Sequence, residues 1–219
     1  MKIVSALLLL AAGLANADDD DKQVTCGSAI KLTHVESGGN YYLMSDERQL
    51  NSGSGQQLVT AVKNNKTPNG LWQVREAHGE VACEVGTPVK CGQMIRLTHV
   101  TTNNNLHTHG IKSPLSNQHE VTGFGKGEGD GDRGDNWKVV CDAGGYFSSS
   151  PSVYWERSKP MMLQSETTGR FLGSSSSVQF TQQNCGRNCP IMNHQEVFGR
   201  GANDQYTQWK VELGVHLYK

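Results

Sequence analysis

Two histidines, His107 and His109, stand two positions apart in this sequence. Their side chains are the first candidates for binding a metal or a ligand. In a β-strand this spacing places both rings on the same face. With His99 or His119 nearby they have the donor types of a zinc site, but the spacing supplies no fourth ligand. We therefore expect no metal, and expect these side chains to hydrogen-bond the backbone of a nearby turn.

Ligand binding is the other use of these histidines. Gln118 and Glu120 follow a short distance downstream. A few convergent polar groups of this kind orient a ligand in a binding site. We name His107, His109, Gln118 and Glu120 as the candidate ligand-binding residues, for a sugar hydroxyl or an extended peptide. This use requires no cofactor, and we expect none.

A glycine-rich acidic segment covers residues 125–135. Its carboxylates at Glu128, Asp130 and Asp132 resemble half of a calcium-binding loop. No glutamate closes the loop at its twelfth position, where such a loop needs one. The segment is therefore predicted to be a solvated surface loop.

Catalytic motifs are missing from the sequence. It contains neither the Gly-x-Ser-x-Gly motif of an activated serine nor the His-Glu-x-x-His motif of a zinc protease. A hydrolase needs a nucleophile, a base and an orienting group that converge in a pocket, and the sequence indicates no such set. We expect a binding protein, not an enzyme, with no catalytic residues.

The N-terminus indicates the secretory pathway. Residues 1–17 combine Lys2, an apolar run over 3–14 and small residues before the cleavage position, which is the pattern of a signal peptide. Residues 18–23 form an acidic spacer, and no stretch is long and apolar enough for a membrane helix. The net charge of −1 argues against a nucleic-acid partner. Asn65 begins an N-glycosylation sequon and is a candidate glycosylation site.

Three copies of one pattern make up the rest of the chain. Each copy opens on an alternating apolar and polar run, and its marker leucines, Leu32, Leu97 and Leu163, lie 65 and 66 residues apart. A leucine-led block and a Gln- or His-led block follow in the same order. Each copy closes on a tryptophan block: Trp72-Gln73-Val74, Trp137-Lys138-Val139 and Trp209-Lys210-Val211.

The elements that carry these motifs are short strands. Alternation with period two, broken by Gly, Ser and Asn, predicts about four strands in each repeat. One such unit buries too little apolar surface to be stable alone, whereas three around an axis share a core. We predict an all-β domain over 24–213, with repeats at 24–83, 89–141 and 153–213 and the three tryptophans in the core.

The repeats also suggest how the six cysteines pair. In a chain bound for an oxidising compartment, disulfides are expected. Cys26 and Cys91 each open a repeat, and Cys83 and Cys141 each lie just past the end of one. The economical pairing is therefore Cys26–Cys83 and Cys91–Cys141. The remaining two, Cys185 and Cys189, are expected to staple a loop of the third repeat.

These motifs resemble a known family. The two openings Cys-Gly-x-x-Ile-(Lys/Arg)-Leu-Thr-His-Val and the Leu-His-Thr-His block that ends at His109 are similar to the MIR repeat. Over 24–213 the chain resembles the stromal cell-derived factor 2 family, most strongly in its first two repeats.

The resemblance implies a β-trefoil of three MIR repeats in a protein of the endoplasmic reticulum lumen. It implies association with a J-domain co-chaperone and, through it, with the lumenal heat-shock ATPase chaperone. It further implies a role in keeping misfolded client proteins soluble. The C-terminal residues 215–219 are not a retrieval signal, so secretion is the alternative to lumenal residence.

The sequence departs from the family in one respect that concerns the site. The paired histidines of the second repeat are replaced by Met44-Ser45-Asp46 in the first and by Gly173-Ser174-Ser175 in the third. A ligand site that uses them is therefore confined to the second repeat. A secreted glycan-binding β-trefoil is the rival function, although the Gln-x-Trp block of ricin-type lectin repeats is missing.

Overall fold

A computed structural model describes residues 22–50, 53–64, 66, 68–126, 129–141, 152–157 and 159–218. The predicted signal peptide, most of the acidic spacer and the candidate glycosylation site Asn65 lie outside these residues. Within the described residues no helix is long and apolar enough to cross a membrane.

The described chain forms three successive sets of four strands, as the alternating pattern predicts. The first set is β1 (Ala29–His34), β2 (Tyr42–Gln49), β3 (Gln57–Val62) and β4 (Trp72–Glu76). The second is β5 (Met94–His99), β6 (Asn105–Lys112), β7 (His119–Phe124) and β8 (Trp137–Val140). The third is β9 (Met162–Ser165), β10 (Phe171–Gln179), β11 (Gln195–Arg200) and β12 (Trp209–Val215).

The first and last strands of the three sets close into a barrel. Antiparallel pairing runs from β12 to β1, β4, β5, β8 and β9 in turn. A bridge between Met161 and Trp209 joins β9 back to β12 and completes the ring. Among the described residues, closure pairs every strand of this layer on both sides, which removes the exposed sheet edges that favour aggregation.

The middle strands of each set form hairpins that cap one end of the barrel. β2 pairs with β3, β6 with β7, and β10 with β11. β3, β7 and β11 then pair with one another in a triangle around the axis. A six-stranded barrel with three such hairpins is a β-trefoil, so the predicted fold is confirmed.

The three predicted tryptophans fill the core in equivalent ways. Trp72, Trp137 and Trp209 are fully buried, each at the start of a closing strand. A buried indole N–H requires a hydrogen-bond acceptor, and each Nε1 donates to the carbonyl of the leucine in the leucine-led block, which lies in the second strand of the same repeat. The acceptors are Leu43 (3.2 Å), Leu106 (2.8 Å) and Leu172 (3.0 Å). Trp155 is also fully buried, outside the repeat pattern.

Short helical turns and three disulfides complete the fold. A 3-10 helix precedes each closing tryptophan, at Pro68–Gly70, Arg133–Asp135 and Gln205–Thr207. The short helix α1 (Gln182–Cys185) lies in the loop between β10 and β11. The disulfides are Cys26–Cys83, Cys91–Cys141 and Cys185–Cys189.

Candidate functional site

His107 lies on β6 and faces inward. It is 4% exposed, and its Nδ1 lies 2.8 Å from the Oδ1 of the fully buried Asp135. Asp135 ends the 3-10 helix that precedes Trp137, so the pair ties that helix to the hairpin. Gly134 makes the close approach possible, because a Cβ there would lie 2.3 Å from His107 Cε1.

Carboxylates of the glycine-rich loop accept hydrogen bonds from backbone N–H groups of the same loop. Asp132 caps the 3-10 helix by accepting from Gly134 N at 2.7 Å, and Asp135 accepts from Asp132 N at 3.0 Å. Asp130 accepts from the backbone N–H of Lys126 at 3.1 Å. Glu128 lies outside the described residues. The loop is thus a capped turn whose acid groups satisfy backbone donors.

His107, Asp132 and Asp135 bring three metal-ligand atoms within 4.8 Å of one another. Both carboxylates, however, already accept backbone N–H bonds, and Asp135 also accepts from Asn105 Nδ2 at 3.3 Å. The hydrogen-bond pattern accounts for the cluster, so we assign it a structural role.

His109 and Glu120 meet on the same face of β6 as His107, as the spacing of the two histidines predicts. His109 Nε2 lies 3.2 Å from Glu120 Oε1, and its ring is 5.2 Å from that of His107. Glu120 is fully buried and also accepts from the backbone N–H and the hydroxyl of Ser54 in the first repeat. Gln118 contributes its backbone carbonyl to Ser113 N at 2.8 Å, at the hairpin turn. The structure therefore places His109 and Glu120 together and Gln118 at the turn.

Glu120 has a counterpart in the third repeat that sequence reasoning missed. Glu196 occupies the same position in β11, is 2% exposed, and holds the hairpin turn of the second repeat. It accepts from Ser113 Oγ at 3.2 Å, Leu115 N at 2.7 Å and Ser116 N at 2.9 Å. Each buried carboxylate thus clamps the hairpin turn of the preceding repeat.

Leu58 occupies the corresponding position in the first repeat. Its contacts with the neighbouring loop are apolar, in place of the hydrogen bonds that Glu120 and Glu196 accept. It packs in a cluster of Leu50, Leu58, Phe180, Cys189 and Ile191, beside the Cys185–Cys189 disulfide. A pocket of about 370 Å³ opens among these residues, and Pro114 and Leu115 of the second repeat also line it. The third repeat's longer loop supplies the apolar partner that Leu58 requires.

Among the described residues, the group of candidate metal ligands around His107 does not include His99, whose two ring nitrogens both have hydrogen-bond partners. His99 is fully buried against Trp72, with ring centroids 5.0 Å apart. Nε2 lies 2.9 Å from the carbonyl of Asn69, and Nδ1 lies 2.9 Å from Thr102 Oγ1. Burial lowers the pKa of His99, partly offset by the Asn69 carbonyl. The ring is therefore neutral near pH 7.

His34 repeats this arrangement in the first repeat. It is fully buried against Trp209, with Nε2 3.0 Å from the Tyr206 carbonyl and Nδ1 2.8 Å from Ser37 Oγ. Burial lowers its pKa too, again partly offset by the carbonyl. These two histidines belong to the Leu-Thr-His-Val openings and brace the turns that follow β1 and β5.

A polar cleft of about 580 Å³ lies between the first and second repeats. One wall is the β2–β3 hairpin, and the other is formed by the turn after β5 and the end of β7. The residues that line it include several with amide or hydroxyl side chains and one aromatic residue, Phe124. The size and the mixed lining suit a small ligand. Motif reading missed it because its walls come from two repeats.

The chain matches a family model and a set of full-length relatives. The MIR domain model matches residues 22–197. Stromal cell-derived factor 2 of Homo sapiens is 39% identical, and the match covers 99% of this chain and 93% of the relative. Stromal cell-derived factor 2-like protein 1 of Homo sapiens is 36% identical over 96% of this chain.

Solved structures agree with the fold. The SDF2-like protein from Arabidopsis thaliana has a TM-score of 0.76 at 31% identity, covering 90% of this chain and 98% of that one. A Caenorhabditis elegans protein described as having unknown function has a TM-score of 0.75 at 37% identity, with the same coverage. Part of the Saccharomyces cerevisiae protein O-mannosyltransferase Pmt1–Pmt2 structure, 26% of its chain, superposes with a TM-score of 0.72 at 26% identity.

Proposed function

The chain belongs to the stromal cell-derived factor 2 family of MIR-domain proteins, and from this premise we propose that it is a non-enzymatic quality-control factor of the endoplasmic reticulum lumen. It associates with a J-domain co-chaperone and, through it, with the lumenal heat-shock ATPase chaperone. In that complex it helps to keep misfolded clients soluble. The observation that carries the proposal is the similarity over 99% of the chain, which includes all three repeats.

The chemistry of the described residues supports a binding role. His107, His109 and Glu120 hydrogen-bond within the chain and hold loops to the barrel. A general base or nucleophile would have to reach a substrate, whereas these side chains already hydrogen-bond to other groups of the chain. The apolar pocket beside Leu58 offers a surface for an exposed apolar client segment.

The disulfides support placement in the secretory pathway. All six cysteines are paired, and disulfides persist in oxidising compartments. The lumen of the endoplasmic reticulum is such a compartment, and the proposed partners reside there.

A client-solubility assay tests the proposal. A chemically denatured client is diluted into the J-domain co-chaperone, the heat-shock ATPase and ATP, with and without the purified mature chain, and light scattering is followed. We expect less light scattering with the chain than without it. Equal scattering with and without the chain would overturn the proposal. An unrelated disulfide-bonded β-protein at the same concentration is the control.

A further inference from the structure

A group of basic side chains lies at the junction between the second and third repeats. Lys112, His119 and Gly199 stand opposite one another across β6, β7 and β11, so they share a face of the sheet. Arg170 directly precedes β10, on the other side of β11. Its guanidinium extends over Gly201, where an added Cβ would lie 3.4 Å from Nη1. We call Lys112, His119 and Arg170 the basic surface.

Gly199 leaves room between two of these side chains. An added Cβ at Gly199 would lie 3.1 Å from His119 Cβ and 3.5 Å from Arg170 Cβ. Any larger residue would therefore place its side chain between the imidazole and the guanidinium. With glycine at this position, that space stays free for a ligand group.

The basic surface lacks counter-ions within the described part of the chain. Neither the half-buried Arg170 guanidinium nor the exposed Lys112 ammonium has an ion-pair partner there. Nδ1 of His119 is buried and has no hydrogen-bond partner in the same residues. Glu120, next to it in the chain, already accepts a hydrogen bond from Ser54. A buried polar atom without a partner requires an explanation, and a bound ligand is one.

The electrostatic surroundings of His119 agree with this reading. Burial lowers the pKa of its imidazole, and Arg170 and His109 lower that pKa further. Among the described residues, no carboxylate raises it. Basic groups that are held together in a half-buried place repel one another when charged, and an anion bound among them relieves that repulsion.

The other two repeats show the same position without the charges. Gly123 of the second repeat corresponds to Gly199, since each pairs with the leucine of its repeat's second strand. An added Cβ at Gly123 would lie 3.2 Å from both Gln57 Cβ and Asn104 Cβ. In the first repeat, Gln195 lies opposite the corresponding alanine. Those junctions present neutral amides where this one presents an imidazole and a guanidinium.

We propose that the basic surface binds a carboxylate of an acidic peptide segment. The planar guanidinium of Arg170 can donate to both oxygens of one carboxylate in parallel hydrogen bonds. Lys112 adds a second positive charge, and the imidazole of His119 supplies a further donor. Ile111, next to Lys112, is 41% exposed. A peptide that brings the carboxylate also covers this apolar side chain, which a free phosphate does not.

A carboxylate of a peptide comes from one of two sources, an acidic side chain or the C-terminus. Three short peptides separate them. The first has two glutamates and blocked ends, the second has glutamines in their place and a free C-terminus, and the third has glutamines and blocked ends. The inference goes beyond the proposed function and does not depend on it, because each probe is a free peptide.

Titration by NMR tests the proposal with the 15N-labelled, disulfide-bonded mature chain. We expect saturable shifts at the backbone amides of Lys112, His119, Gly199 and Gly201 with at least one of the two carboxylate peptides. The tighter of the two identifies the source of the carboxylate. The peptide with glutamines and blocked ends should bind at least tenfold more weakly.

A double variant copies the neutral junction onto the basic surface. H119Q/R170N places on either side of Gly199 the amides that Gln57 and Asn104 supply beside Gly123, and should weaken binding of the carboxylate peptide at least tenfold. The matched control, R187N/H216Q, makes the same two exchanges outside the basic surface and should bind within twofold of the parent chain. The spectra themselves report whether each variant is folded.

Three results would overturn the proposal. The first is no saturable shift with either carboxylate peptide up to about 20 mM, well above the millimolar range of weak specific binding. The second is equal binding by H119Q/R170N and the parent chain. The third is that inorganic phosphate shifts the same residues and binds as tightly as the carboxylate peptide, which would make the surface a general anion site.

Discussion

His34 and His99 show how single residues couple the interior to the surface. Each packs at a tilt against a core tryptophan. Each also hydrogen-bonds to a turn residue through Nδ1 and to a backbone carbonyl through Nε2. The sequence places both in repeated openings but does not reveal their burial, because a His in an alternating strand can face either side. The core role depends on the tryptophan of another strand.

These buried histidines predict an acid-sensitive fold. Burial lowers the pKa of both in the folded protein. Their stabilising contribution is therefore complete above the unfolded value of about 6.5 and is lost as the pH falls below it, because the unfolded chain takes up protons first. The loss is at most about 1.4 kcal/mol per pH unit for each histidine. Urea unfolding at pH 7.5 and pH 5.5 measures it.

The double variant H34Q/H99Q is the comparison for this prediction. Glutamine keeps a donor and an acceptor but does not titrate in this range. Its unfolding free energy should fall less between the two pH values than that of the parent chain. An equal or steeper fall in the variant would contradict the assignment.

Glu120 is the second residue whose role is testable alone. Glu120→Ala leaves the Ser54 donors and His109 Nε2 without their shared acceptor. We expect a loss of about 1–3 kcal/mol in the free energy of unfolding, the usual cost of orphaned buried donors. Chemical denaturation measures it. Glu120→Gln should cost less, and the exposed control Glu80→Ala should be close to neutral.

At the scale of elements, the 3-10 helix Arg133–Asp135 is the clearest example of packing that sequence patterns miss. The glycine-rich segment 125–135 was predicted to be a solvated loop, yet Gly134 and Asp135 are buried and Asp135 bonds to His107. Composition alone marks Gly and Asp as turn residues. Only the return of the loop onto β6 gives Asp135 its partner.

Gly134→Ala tests this packing. The added Cβ would lie 2.3 Å from His107 Cε1, so the helix or the imidazole must shift. We expect a loss of about 1–3 kcal/mol in unfolding free energy, as for other overpacked positions. Gly110→Ala in β6 is the matched control, since nothing lies within 4 Å of its added Cβ. Equal stabilities of the two variants would contradict the predicted contact.

The strands themselves could be predicted from the sequence. Alternation and the repeated landmarks indicated four strands per repeat and the burial of Trp72, Trp137 and Trp209. The shared role of Leu58, Glu120 and Glu196 could not be predicted from the sequence, because the three side chains differ in chemistry at one structural position. Their shared role appears only once each is seen to hold the hairpin turn of the preceding repeat.

At the scale of the whole molecule, the disulfides differ in what they constrain. Cys26–Cys83 closes a separation of 57 residues, whereas Cys185–Cys189 closes one of 4. In the chain-entropy model these correspond to about 4 and about 2 kcal/mol. We therefore expect C26S/C83S to lower the unfolding free energy roughly twice as much as C185S/C189S. Guanidinium unfolding of both variants measures the difference, and the reverse order would contradict the expectation.

The trefoil frame is symmetric, whereas the surfaces between its repeats are not. The pseudo-threefold frame repeats the barrel and its tryptophans, while the junctions between repeats diverge. One junction is bridged by Glu36 and another is open at Thr101 and Glu47. The apolar pocket belongs to the third repeat's long loop. The surface clefts on this frame thus arise from differences between the repeats.

The most direct test of the proposed function is a mild pull-down. The tagged mature chain, beginning at position 18, is incubated with lumenal extract, and the bound proteins are identified by mass spectrometry with and without free sugars. We predict enrichment of a J-domain co-chaperone together with the lumenal heat-shock ATPase, retained when sugar is added. Recovery of glycoproteins alone, eluted by free sugar, with neither chaperone present, would contradict the account.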